Sequence, residues 1–287
     1  MLSRLRAAKK VGLLFSGGSA RCAFQIGIVE TLYELGIEPA VCLGVSGGVW
    51  NAATVAVGEW RRLRAYWRFF NRMPYIDLRN LAREHSPFIW SRLHERTFRR
   101  YIGEERIRSN DTKPLYAGLT RLRDRVAVVV DVRAAVDPFK VLLASNYLPP
   151  FYTHAPEIDG ERYGDGGLTN NIPYEALLDL GCDAVVLMAS KGESEGPLYH
   201  NALDTELVPP PKIPEEVIVI RPRHRLPLGF VERRWEKLAP IADLGALRAR
   251  EVLLGERHAA TDLAARGKAM SQHVAKWRRW WRTRLSS

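Results

Sequence analysis

Early in the chain, apolar residues come in two short unbroken runs, each followed by a stretch with helical spacing. Residues 10–16 (KVGLLFS) predict a buried strand and 19–35 a helix closed by Gly36. Residues 40–45 predict a second strand, and 47–57 a helix of small residues able to lie close on a sheet. This strand–helix–strand–helix order opens a mostly parallel sheet. From 59 to 108 the pattern is helical, rich in arginine and aromatics, and broken at Pro74 and Pro87. Residues 126–132 (VAVVVDV) predict a strand, and 139–143 another after the Asp137-Pro138 turn. Residues 144–171 read as loop, with Pro149-Pro150 and Gly164-Asp165-Gly166-Gly167 inside it. A helix over 173–180 ends at Gly181, and strands follow at 184–189 and 217–220. The proline-rich, acidic stretch 192–216 is a long irregular connection, and from Phe230 onward the chain reads as helical and basic.

Both early strands end in glycine-rich turns, Gly17-Gly18-Ser19-Ala20-Arg21 and Gly44-Val45-Ser46-Gly47-Gly48. The second is a G-x-S-x-G pattern, which sets a serine on a tight strand-to-helix turn with its hydroxyl exposed. The first admits two readings: backbone N–H donors for an oxyanion, or a phosphate cradle at a helix N-terminus. It lacks both the G-x-G-x-x-G spacing and a P-loop lysine, which favours the oxyanion. Only two strands and one helix precede Ser46, too few for the usual histidine-dependent α/β-hydrolase. None of the seven histidines stands in a glycine-bracketed turn, whereas Asp165 does. An Asp-Gly-Gly alone is a turn; beside Ser46 it reads as a base.

Composition narrows the setting. The chain has 287 residues, 46% apolar and 26% charged, enough for a sizeable core. The apolar run 11–15 falls short of the roughly 7–15 residues of a signal peptide core, and no run approaches the ~20 of a membrane span. Three scattered cysteines without a C-x-x-C predict neither a disulfide framework nor a zinc site. The expectation is a cytoplasmic protein without a signal peptide. The net charge of +11 is unevenly placed: residues 225–287 hold 14 Lys/Arg against 6 Asp/Glu, and 58–109 hold 13 against 6. Trp60, Tyr66, Trp67, Phe69 and Phe70 lie among arginines in one segment, and Trp277, Trp280 and Trp281 in the other. Such segments either dock on an anionic membrane or pack their aromatics on the core; nucleic acid is the weaker partner.

Taken jointly and in order, the two glycine turns, Asp165-Gly166-Gly167, Ala144-Ser145 and Asn170-Asn171-Ile172-Pro173 resemble the patatin-like phospholipase family. The resemblance implies a three-layer α/β/α sandwich with a mostly parallel central sheet. It makes the chain a single domain over 1–287, with a catalytic core over about 10–222 and a basic helical extension over about 228–287. It also implies a Ser46–Asp165 dyad acting on lipid acyl esters, with no metal or cofactor. Gly17, Gly18, Ser19 and Gly47 become the oxyanion donors, Arg21 the support of the loop or a phosphate ligand, and Gly44, Gly48, Gly166 and Gly167 the motif glycines. Ser19 and Cys22 stand where the family usually has glycine. If Ser19 takes positive φ, its Cβ costs roughly 1–2 kcal/mol relative to glycine. The rival reading is a weakly active or inactive module of this fold that binds anionic membrane or nucleic acid.

Overall fold

The computed structural model describes residues 1–84, 86–152, 154–201 and 209–256. Its strands are β1 (Val11–Phe15), β2 (Val41–Val45), β3 (Leu115–Arg121), β4 (Val126–Asp131), β5 (Glu157–Ile158), β6 (Glu161–Asp165), β7 (Ala184–Met188) and β8 (Val217–Ile220). They form one sheet in the order β5-β6-β3-β2-β1-β7-β8, with β4 also on β3. β8, β7, β1, β2 and β3 run parallel, β4 and β6 pair antiparallel with β3, and β5 pairs antiparallel with β6.

The helices used below are α1 (Leu2–Ala7), α2 (Ala23–Glu34), α3 (Gly48–Ala56), α4 (Leu63–Arg72), α5 (Leu81–Glu84), α6 (Trp90–Tyr101), α7 (Glu104–Arg108), α8 (Pro138–Ala144), α9 (Tyr174–Asp179) and α10 (Trp235–Leu254). The central strands are buried on both faces, which explains their unbroken apolar runs. Leu13, Phe15, Cys42, Val186 and Met188 point into a large core shared with α2, α3 and α10. Their neighbours Leu14, Leu43, Val185 and Leu187 point into a smaller one with Tyr174 and Leu177 of α9. The three layers follow from this period-two division.

Helix α10 is integral to the large core. Leu238, Ile241, Ala242, Ala249 and Leu253 are buried in it. A Cβ on Gly27 would stand 1.9 Å from the Ala242 carbonyl oxygen, and one on Gly245 the same distance from that of Phe24. These two glycines let α2 and α10 meet backbone to backbone.

Two local readings need correction. Residues 138–144 are helix, not strand: the Asp137 side chain accepts a hydrogen bond from the Lys140 N–H (2.9 Å) and Pro138 opens the first turn. An N-cap followed by proline is a helix start, and it overrides a short apolar run compatible with either state. The loop expected over 144–171 contains β5 and β6, and β3 was not foreseen.

β3 is the ruler that assembles the site. β4 pairs with it over Tyr116–Arg121, so β2 and β6 share its opposite edge end to end. Val45, the last residue of β2, lies opposite Gly118, and Asp165, the last of β6, lies opposite Leu119. Consecutive residues of one strand thus bring Ser46 and Asp165 together from 119 positions apart.

Candidate active site

Ser46 sits where β2 turns into α3, with φ of +51°. A non-glycine residue there is strained by roughly 1–2 kcal/mol, and its surroundings enforce it. Its N–H donates to Ser145 Oγ (2.9 Å), whose hydroxyl donates to the Gly118 carbonyl (2.8 Å). The flanking glycines are steric requirements: a Cβ on Gly44 would stand 2.4 Å from Val49 Cα, and one on Gly48 2.4 Å from the Phe15 carbonyl oxygen. The strand-to-helix turn that the G-x-S-x-G spacing predicts is therefore present.

The Ser46 hydroxyl donates to Asp165 Oδ2 at 2.6 Å. The other carboxylate oxygen accepts the Gly167 N–H at 2.8 Å. The Asp165 carbonyl is held by Thr120 Oγ1 (2.7 Å), and its N–H donates to the Tyr147 carbonyl (3.0 Å). Gly166 fits because a Cβ would lie 2.2 Å from the Gly118 carbonyl oxygen. Asp165 is 7% exposed. Burial pushes its carboxyl up to about 6, against the downward pull of the Ser46 and Gly167 hydrogen bonds.

The first glycine turn packs directly on the second. A Cβ on Gly17 would stand 2.7 Å from Ser46 Cβ, and one on Gly47 3.3 Å from Ser19 Cα. The Gly17 N–H donates to Asn171 Oδ1 (2.7 Å), and its carbonyl accepts from Ser190 Oγ (2.7 Å). The bond to Asn171 withdraws the Gly17 N–H from the expected oxyanion donors. The bond from Ser190 fixes the Gly17 carbonyl, so the N–H of the planar Gly17–Gly18 peptide points to the opposite side. No acceptor is seen among the described residues for the N–H groups of Gly18, Ser19 and Gly47. Arg21 does not line the cleft; it lies 4.0 Å from Glu195, a contact that fits loop support.

Above the pair opens a cleft of about 730 Å³. Its walls are aromatic: Trp50, Tyr66, Phe70, Trp90, Phe151 and Phe230 among them. Tyr66, Trp67 and Phe70, from the segment whose aromatics the sequence left open between membrane and core, are buried and line this cleft. Trp60 instead stacks on Tyr33 (centroids 4.3 Å apart), and Phe69 packs on Tyr101. The C-terminal segment with Trp277, Trp280 and Trp281 lies outside the described residues. His94 also lines the cleft, stacked on Trp50 at 4.4 Å. Burial, aided by the charge of Arg233, lowers its ring to about 3, so it is neutral. Among the described residues no group of three His, Cys, Asp or Glu side chains is arranged to hold a metal, and no helix is long and apolar enough to cross a membrane.

The family model for patatin-like phospholipases matches residues 13–178, more than half of the chain. The chain belongs to this family. Among curated relatives, the neuropathy target esterase sws of Drosophila melanogaster is 25% identical over 202 residues, 64% of this chain and 13% of that protein. The Drosophila virilis protein of the same name is 26% identical over 189 residues, 60% and 12% respectively. The chain thus spans about an eighth of the length of these relatives. VipD from Legionella pneumophila superposes with a TM-score of 0.52 at 14% identity, covering 86% of this chain and 67% of that one. That likeness is one of fold, and it agrees with the three-layer sandwich. Membership makes this patatin-like chain part of a lipid-hydrolase family.

Both departures from the family's glycine loop are accommodated here. Ser19 does take positive φ, +51°, and its hydroxyl donates to the Phe230 carbonyl at 2.6 Å. That bond, worth about 1 kcal/mol, offsets much of the strain and ties the loop to the cleft wall. The Cys22 side chain is fully buried behind Gly47, its sulfur 3.5 Å from the Ser16 carbonyl.

Residues that sequence reasoning left without a role brace this floor. Gln25 Nε2 donates to the Ser16 and Met188 carbonyls (2.7 and 3.1 Å). Asn51 links Gln25 Oε1 (2.8 Å) to the Trp67 indole (2.8 Å). Ser145 and Asn171 fall inside the motifs that carried the resemblance; polar residues within apolar helices were the signal for Gln25 and Asn51.

Proposed function

We propose that this chain is a serine hydrolase of lipid acyl esters that works through an acyl-enzyme. The observation that carries this reading is the 2.6 Å bond from Ser46 Oγ to a buried carboxylate on the floor of an aromatic cleft. Asp165 accepts the Ser46 proton as Oγ attacks the acyl carbonyl carbon. The carbonyl π electrons move onto oxygen, and the N–H groups of Gly18, Ser19 and Gly47 receive the negative charge. Collapse expels the alkoxide, which takes the proton from Asp165. Water then attacks the acyl-enzyme and gives its proton to the same carboxylate; the second tetrahedral intermediate expels the Ser46 alkoxide, which takes that proton back from Asp165 as the acid leaves.

Burial helps, because a carboxylate raised to about 6 is a stronger base than an ordinary aspartate yet is still largely ionised at pH 7. The aromatic walls suit an acyl chain. Exposed Ile76, Leu78, Phe230 and Val231 lie on segments that contribute to or pack against those walls, an apolar rim suited to a lipid surface and hence to peripheral membrane attachment.

The test is hydrolysis of a long-chain ester by wild type, Ser46→Ala and Asp165→Asn. Each variant loses more than about 1,000-fold in kcat, the scale of removing one member of a catalytic dyad or triad. Retention of full activity by Asp165→Asn removes the dyad. Lack of activity in the wild type favours the non-catalytic module.

A further inference from the structure

Residues 229–232 form a turn at the rim of the cleft, closed by the Glu232 N–H on the Gly229 carbonyl (3.3 Å). Its corner residues, Phe230 and Val231, line the cleft yet are 49% and 38% exposed. Both ends of the turn are anchored. Leu226 and Leu228 are buried in the large core, and Arg233 Nη2 donates to the Phe70 and Met73 carbonyls (2.6 and 2.7 Å). Between these anchors, among the described residues, one backbone group of the turn bonds another part of the chain. The Phe230 carbonyl accepts the Ser19 hydroxyl at 2.6 Å and the Ala20 N–H at 3.5 Å.

On the other side of that carbonyl lies the first glycine turn. The Gly17 N–H is taken by Asn171, the Ala20 N–H by Phe230, and the Arg21 N–H by the Gly18 carbonyl (3.0 Å). Gly18 and Ser19 are therefore the donors this turn has left for an oxyanion. Gly47 lies against them: a Cβ there would stand 3.3 Å from both N and Cα of Ser19. Such donors act by being aimed before charge develops, so their value depends on a fixed backbone. Yet Ser19 holds φ of +51°, a conformation its own Cβ disfavours. Its hydroxyl bond to Phe230 opposes relaxation to negative φ. Glycine at this position would occupy either sign of φ and would have no hydroxyl to choose between them.

We infer that Ser19 is a positioning residue: acting through the Phe230 carbonyl, its hydroxyl fixes the aim of the Gly18 and Ser19 N–H groups and makes that aim depend on the rim turn. The serine that departs from the family's usual glycine is then part of how this site is set, not a tolerated change. The catalytic consequence rests on the acyl hydrolase reading; the link between the two turns is a property of the free protein.

The experiment measures kcat and KM for a short soluble ester, p-nitrophenyl butyrate, in wild type, Ser19→Gly and Ser19→Ala, alongside thermal melts. Ser19→Gly lowers kcat by about 5- to 50-fold, less than the roughly 100- to 1,000-fold of losing a donor outright. Its KM stays within about twofold, as for an interaction that matters only in the transition state. Its melting temperature stays within about 3 °C, because the strain relieved and the bond lost offset one another. Ser19→Ala keeps the strain and loses the bond, so its kcat falls at least as far and it melts lower. A purely structural role would move the melting temperature and leave kcat in place. An unchanged or raised kcat in Ser19→Gly, with wild-type activity that depends on Ser46, overturns the inference and leaves the hydrolase reading standing. Hydrogen exchange read by mass spectrometry follows the link without catalysis: in Ser19→Gly it quickens about threefold or more both in 17–22 and in 226–233. Exchange unchanged in 226–233 overturns the inference. Faster exchange in both segments of a protein that cleaves no ester upholds the link and sinks the hydrolase reading alone.

Discussion

The floor and the wall of the cleft are built on opposite terms. On the floor, side-chain polar atoms are partnered within the protein. Ser46 bonds Asp165, Asp165 bonds Gly167, and Ser145 bridges Ser46 to Gly118. On the wall, five buried polar atoms have no partner. A finished network rigidifies and aims reacting groups before substrate arrives. An unfinished one carries the desolvation cost of groups buried without partners. The two are therefore expected to respond differently to substitution.

The largest expected effect on the fold is at the floor. In Gly48→Ala the new methyl would meet the Phe15 and Ser16 carbonyl oxygens at 2.4 and 2.6 Å. Backbone on both sides leaves no room to yield. A loss of about 2–4 kcal/mol is expected in urea unfolding; a loss below 0.5 kcal/mol would show that the turn is not tightly packed.

Asp165 comes next, with the opposite sign. Its folded carboxyl titrates near 6 against an ordinary 3.8, so folding disfavours the ionised form. The penalty is fully present above about pH 6 and is relieved as pH falls through 6 toward 4. Asp165→Asn is therefore expected to be inactive yet more stable than wild type by about 1–3 kcal/mol at pH 8. The difference should vanish near pH 4. Equal stability at both pH values would mean that the carboxylate is not penalised.

The smallest effects sharpen the contrast most. Ser145→Ala removes a hydroxyl with two partners and strands the Ser46 N–H, which should destabilise by about 1–3 kcal/mol. Tyr66→Phe removes a buried hydroxyl with none, and should be neutral or stabilising by up to about 1 kcal/mol. Thermal melts of the pair give the comparison directly. Equal losses would erase the distinction between floor and wall.

The floor was largely legible in the sequence, because its demands fall on glycine. Gly44, Gly48 and Gly166 occupy positions where a Cβ would strike backbone, and Ser46 is marked by the glycines around it. What escaped was β3, the strand that brings the halves together. Its sequence LYAGLTR has a glycine at the residue opposite Val45 and no continuous apolar run. β6 (ERYGD) is short and polar because it continues the sheet at an open edge. The wall stayed ambiguous for a different reason. Arginines interleaved with aromatics look the same in sequence whether the rings face lipid or core, and only packing divides Tyr66, Trp67 and Phe70 from Trp60. Arg233 carried no local signal, since its packing among Phe70, Tyr75 and Trp90 joins segments far apart in sequence.

The measurement that bears most directly on the central claim is fluorophosphonate labelling followed by peptide mapping, with the labelling rate taken from pH 4 to 8. The account predicts one adduct per chain, on Ser46, at a rate that rises through an apparent pKa near 6 and collapses in Asp165→Asn. An adduct on another residue, or a Ser46 rate indifferent to Asp165→Asn, would contradict it.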